Sequence, residues 1–408
     1  MKKIVLSTIV ASSVAVAGGY KIPEASLNAV ALSAANIAHV KTADAAYYNP
    51  ANMVFMSDEN HLEADMKYIG LDSVNYKGKV SGNGPYDLDS ESEDFLVPSL
   101  HYVSGKLGNA RVGVSLVSPG GLSKRWSTEP AKTSAEEFTL EVIEFNPTVA
   151  LPVTDTVAVA FGFRIVHSSG VVKSDGTIAS NITASRDMTG DSTDFGYNLA
   201  LSYKPTKALE FGLTYRSRVN LTEEGDAKLD TTHPRANPTT YNGDAEVSVP
   251  LPATFSAAIA YTLPSATTIE FVYENTQWSA YENLEFSYDG SEGTVLSQIF
   301  GSTTAKDWKD SNTYRLGITQ EFTSMTLMGG VVYDESPVPD SSLSFELPDS
   351  NSLAFSLGGR YHVSDKLDLG LAALYSTRES RTADNDSLDG EFTDGNVLIV
   401  SMGIGYRF

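Results

Sequence analysis

The chain ends Leu398-Ile399-Val400-Ser401-Met402-Gly403-Ile404-Gly405-Tyr406-Arg407-Phe408. Leu398, Val400, Met402, Ile404, Tyr406 and Phe408 fall on one face of an extended strand, and Ser401, Gly403, Gly405 and Arg407 on the other. Side chains alternate across a strand, so one face is oily and the other small or polar. The same split recurs upstream. Leu353, Phe355, Leu357, Tyr361 and Val363 oppose Ala354, Ser356, Gly358, Arg360 and His362; Leu209, Phe211, Leu213 and Tyr215 oppose Glu210, Gly212, Thr214 and Arg216. Val157, Val159, Phe161, Phe163 and Ile165 likewise oppose Ala158, Ala160, Gly162 and Arg164.

A soluble sandwich also alternates, so the connections decide. Short turns at residues 106–109, 152–155, 205–207, 264–266, 323–324 and 364–366 interleave with long polar connections at 78–94, 120–135, 174–192, 223–245, 279–306, 335–350 and 379–394. One tight rim and one long rim imply an all-β, 14-stranded antiparallel transmembrane β-barrel over residues 57–408. Tyr203, Tyr261, Phe322, Tyr361, Tyr406, Trp278 and Trp308 are candidates for its aromatic girdles. After residue 17 no apolar run reaches the ~18 residues of a membrane helix, leaving a closed barrel as the means of crossing.

Composition narrows the function. Residues 1–17 carry Lys2, Lys3, an apolar run and Ala15-Val16-Ala17, the layout of a cleaved secretory signal. With no Cys there is neither a disulfide framework nor a thiolate metal site. A net charge of −22 excludes nucleic acid as a partner. The six His show no metal-ligand spacing and no catalytic constellation stands out, so no cofactor and no enzyme are expected. Residues 18–56 are Ala-rich and helix-leaning: Pro23 and Glu24 suit a first turn, and Asn49-Pro50 breaks the helix. This segment is expected as a mostly helical hatch in the lumen. Arg111, Arg164, Arg216, Arg218, Arg315 and Arg360, with Glu210, Glu270, Glu274 and Asp368, alternate onto the inner face as candidates for an ion-pair lattice between hatch and wall.

Ordered stretches then carry a resemblance: Gly18-Gly19-Tyr20 through Asn49-Pro50-Ala51; Ser118-Pro119-Gly120-Gly121-Leu122 through Trp126; Phe145-Asn146-Pro147-Thr148-Val149; Leu213-Thr214-Tyr215-Arg216-Ser217; Leu251-Pro252-Ala253-Thr254; and residues 334–340 with 347–350. Together they resemble the outer-membrane long-chain fatty-acid transporter family (the FadL and toluene-transporter type). Phe408 resembles the C-terminal signature of bacterial outer-membrane proteins. The resemblance implies a monomer in the bacterial outer membrane, among outer-membrane lipid and lipopolysaccharide, inserted by the barrel-assembly machinery. It implies passive uptake of hydrophobic small molecules, fatty acids or hydrocarbons, released by hatch rearrangement and lateral exit at a kink in strand 3. Tyr20 would reach the ligand pocket, Asn49, Pro50 and Ala51 would close the hatch, and Ser118, Pro119, Gly120, Gly121 and Leu122 would mark the kink. Pro119 cannot donate to a ladder and Gly120-Gly121 weaken one, which agrees. Carboxylate candidates are Lys306, Lys309, His167 and Lys173. Ser168-Ser169-Gly170 stand where the family has a basic residue, so an uncharged hydrocarbon stays open. Leu296, Ile299 and Phe300 are expected in an apolar capture groove. A surface adhesin or receptor with a structural plug, and a polar-solute porin, are the competing readings.

Overall fold

The computed structural model describes residues 18–179, 181–291 and 293–408; the expected signal lies outside them. Fourteen antiparallel staves form the wall: β1 His61–Leu71, β2 Glu93–Val103, β3 Arg111–Val117, β4 Glu137–Pro152, β5 Val157–Ala179, β6 Ile182–Tyr203, β7 Leu209–Arg216, β8 Thr254–Thr262, β9 Thr267–Thr276, β10 Ser311–Glu321, β11 Met325–Asp334, β12 Ser352–His362, β13 Leu367–Arg378 and β14 Val397–Arg407. Each pairs with its sequence neighbour, and β1 pairs with β14 from His61↔Arg407 to Leu71↔Val397. The ring is closed, which removes the exposed edges an open sheet would carry. Among the described residues no helix is long and apolar enough to cross a membrane.

All six short turns fall where expected, on one rim, taken as periplasmic. The outer face is apolar: Leu116, Phe145, Phe161, Leu199, Phe271, Leu316, Phe355 and Met402 are exposed there. Tyr203, Tyr261, Phe322, Tyr361 and Tyr406 are also exposed near the short-turn rim, as a girdle requires. Trp278 and Trp308 are not girdle residues. Both lie in the connection between β9 and β10 and are buried beneath the extracellular loops.

The long connections are more ordered than their polarity suggests. β5 and β6 remain paired out to Thr177↔Thr183, so the stretch expected as a loop at 174–192 is a protruding hairpin. Val219–Thr231 pairs with Thr240–Leu251 in another. Val74–Val80, Asn83–Asp89, Arg381–Asp384 and Leu388–Asp394 make a separate four-stranded sheet over the mouth. Cross-strand hydrogen bonding rewards polar strands as well as apolar ones, and polarity alone does not reveal it.

The hatch fills the lumen. Its helices are shorter than expected: Leu27–Ala31 is capped by Ser26, whose Oγ accepts from Ala29 N at 3.1 Å, and Pro23 and Glu24 precede the first turn. Ser33 and Ala34, at φ 50° and 58°, end that helix. Ala45–Tyr48 and the 3-10 turn Pro50–Phe55 complete its helical content.

Candidate functional site

A lattice of wall charges fixes the hatch. The Glu270 carboxylate accepts three consecutive hatch amides, from Ile37 at 2.8 Å, Ala38 at 2.6 Å and His39 at 3.1 Å. Arg360 pairs with Glu63 at 2.6 Å and donates to Asn28 Oδ1 at 2.7 Å, while Glu63 also accepts from Asp44 N at 3.0 Å. Arg111 donates to the Met53 carbonyl at 3.0 Å. Arg164 and Arg216 share Glu144, and the Arg216 guanidinium lies 4.2 Å over the Tyr47 ring. Lys21 and Arg315 share Glu274, at 2.6 and 3.4 Å. Buried charges are tolerable when paired in this way. Arg218 is not part of the lattice; it is exposed where the wall passes from β7 into the outer hairpin. Sequence reasoning missed Glu63 and Glu144, although both sit on inner-facing positions of alternating strands.

At its outer end the hatch meets an aromatic pocket. Tyr20 is buried, donates its hydroxyl to Pro250 O at 2.5 Å and packs against Trp278, with ring centroids 4.7 Å apart. Trp308 follows at 5.9 Å and Tyr281 at 6.3 Å. Tyr20, Tyr281 and Trp308 border a mostly apolar cavity of about 70 Å³, with Leu122, Phe138, Val172, Phe286 and Leu347 among its other walls. Lys306 lines it and pairs with Glu346. Burial works to raise the Glu346 carboxyl, but the Lys306 ammonium outweighs it and holds the acid below its usual range.

The other expected site residues divide. Leu296 and Phe300 are buried and Ile299 half-buried on the short helix Val295–Phe300; they pack in the aromatic cluster around the cavity without lining it. Lys309 is exposed, outside the cavity, its amide bonded to Pro337 O at 3.0 Å. His167 and Lys173 point out of the barrel, because inner positions on β5 carry even numbers, such as Val172 and Gly170. His167 Nδ1 lies 3.1 Å from Thr193 Oγ1, and Lys173 faces Glu137 and Asp187 at 3.7 and 3.8 Å. Neither can meet a ligand in the lumen.

The pairing of β3 is interrupted at Ser118-Pro119-Gly120. β2 and β3 pair only from Leu100↔Leu116 to Val103↔Gly113, and the stave resumes after Ser118-Pro119-Gly120 as Gly121–Arg125. Hatch backbone covers the break: Gly121 N donates to Tyr20 O at 2.8 Å, and Ile22 N to Pro119 O at 3.0 Å. Outside it lies an apolar groove of about 570 Å³, walled by Met66, Pro98, Leu100, Leu116, Ile143 and Met402. Asn49, Pro50 and Ala51 lie deeper, toward the periplasm. Asn49 donates to Ile37 O at 2.9 Å and Leu201 O at 3.3 Å, and its Oδ1 caps Ala51 N at 3.2 Å. Below them a polar vestibule of about 380 Å³ runs between hatch and wall.

Residues 8–408 match the family model described as outer membrane protein transport protein (OMPP1/FadL/TodX). The chain belongs to this family. It is therefore a bacterial outer-membrane transport protein, of a family whose members carry hydrophobic compounds. It is 24% identical to the long-chain fatty acid transport protein of Escherichia coli O6:H1, over 88% of this chain and 87% of that one. In fold it is similar to a Pseudomonas aeruginosa FadL homologue, with a TM-score of 0.83 at 18% identity, covering 95% of this chain and 99% of the other. The Ralstonia pickettii toluene transporter TbuX gives a TM-score of 0.69 at 16% identity, over 94% and 98% of the two chains.

Proposed function

We propose that this family member admits long-chain fatty acids or other hydrophobic compounds by passive diffusion, and that they leave sideways through the break in β3 when the hatch shifts. One observation carries the reading. Three consecutive hatch residues serve two places at once: the Tyr20 ring walls the outer cavity, while the backbone of Tyr20, Lys21 and Ile22 closes the break. Withdrawing this strand to accommodate a ligand opens the wall beside it, toward the apolar outer groove. An aqueous route is disfavoured by the buried hatch, which argues against a polar-solute porin.

The chain has no native Cys, so the exit can be locked cleanly. Pro98→Cys with Ser118→Cys places one thiol on each side of the groove. Oxidative cross-linking of this pair should stop uptake of labelled oleate, and reduction should restore it. Undiminished uptake by the cross-linked protein would rule out the lateral route. Tyr20→Ala should lower ligand retention during purification without altering barrel assembly, as measured by mass spectrometry of extracted lipophiles.

A further inference from the structure

The outer cavity carries polar groups that a pure hydrocarbon would leave unused. Glu223, on the hairpin strand Val219–Thr231, reaches across to β5 and is 5% exposed. Gly170 makes room for it: a Cβ there would lie 2.1 Å from Glu223 Oε2. Ser168 hydrogen-bonds the carboxyl, but Oε1 has no partner among the described residues. Trp308, another wall of the same cavity and also 5% exposed, has its Nε1 donor buried without a partner among the described residues. Unpaired buried polar atoms are costly, and a ligand that satisfies them recovers that cost.

Charge decides which ligand does so. Among the described residues that line the cavity Lys306 is the only cation, 4% exposed and already neutralised by Glu346; Arg186 lies over the Phe286 ring at 4.3 Å and does not line it. A ligand carboxylate in the cavity would have to take Lys306 from Glu346, leaving that acid without its cation, or sit beside Glu223 with no other lining cation to pair with. An uncharged head that both donates and accepts a hydrogen bond has neither difficulty. Its proton can go to Glu223, or its oxygen can accept from the Trp308 indole. The cavity's ≈ 70 Å³ suits such a small head.

Building on the transport reading above, we infer that this pocket selects uncharged hydroxyl-bearing amphiphiles, with long-chain alcohols as the simplest case, over fatty-acid carboxylates, and that Glu223 and the Lys306–Glu346 pair set the preference. Trp278 and Trp308, two of the three tryptophans in the chain, report occupancy by fluorescence. The full protein in lipid nanodiscs, with empty nanodiscs as the partition control, is titrated at pH 8 with 1-decanol, decanoate and decane. Decanol is expected to bind at least ten-fold more tightly than decanoate. Glu346→Gln frees Lys306 and is expected to shift that ratio at least ten-fold toward decanoate. Glu223→Leu is expected to weaken decanol about five-fold while leaving decane unchanged. Decanoate binding the unaltered protein as tightly as decanol, or a ratio that Glu346→Gln does not move, overturns the inference while leaving transport intact. If none of the three ligands changes the fluorescence, the transport reading falls with it.

Discussion

Glu24 is buried in the hatch, and its Oε2 has no partner among the described residues. Burial is the main cause raising its carboxyl from 4.5 to about 7, with Arg315 acting in the opposite direction. A native pKa above the unfolded value means that the seated hatch prefers the protonated acid. That contribution is complete below about 4.5 and is lost as pH rises through about 7. Protease protection of the hatch should therefore be stronger at pH 5 than at pH 8. Glu24→Gln should reduce the difference by on the order of 3 kcal/mol, at about 1.36 kcal/mol per pKa unit. An unchanged pH profile in that variant would show that Glu24 does not set it. Glu270 works differently, because three hatch amides depend on its one carboxylate. Glu270→Ala should loosen residues 37–39 by roughly 2–4 kcal/mol, read as faster amide exchange there, since lost partners leave buried donors unsatisfied. Equal exchange rates in the variant and the parent would count against that role.

At the scale of elements, the hatch and staves β10 to β12 fit by the absence of side chains. A Cβ on Gly330 of β11 would lie 2.3 Å from the backbone carbon of Leu32, and one on Gly317 of β10 would lie 2.9 Å from the Ala35 Cβ. The backbone of the hatch thus rests directly on that of the wall, and it turns there through the left-handed residues Ser33 and Ala34. Gly330→Val should unseat the hatch while the closed ring still forms. The cost should be about 1–3 kcal/mol or more, because a clash with backbone relaxes poorly. The measurement is heat-modifiable gel mobility for the barrel alongside proteolysis for the hatch; loss of both together would show that the two fold as one unit. The same contact explains why an Ala-rich run that reads as one long helix is broken into short turns. Helix propensity is worth only tenths of a kcal/mol per residue, and close packing against the wall overrides it.

For the whole molecule, every stave already has two hydrogen-bonded neighbours without the hatch, and the inner wall is charged enough to be hydrated. Deleting Tyr20 to Asn52 should therefore leave an assembled barrel that leaks small sugars in liposome-swelling assays, identifying the hatch as a gate. Failure of the ring to assemble would make it a core instead. The sequence alone determined the barrel, its strand count and the place where β3 breaks. Strand alternation, turn length and the loss of a donor at Pro119 are local properties, written residue by residue. It also marked most inner-face charges, because alternation assigns a face. Tertiary structure decided which of them meet. Lys306 looks like a free cation until the connection between β11 and β12 brings Glu346 to it. Leu296 and Phe300 look like an open mouth until the loops fold over them. Those outcomes depend on contacts between residues far apart in sequence, and in polar loops no local pattern specifies them.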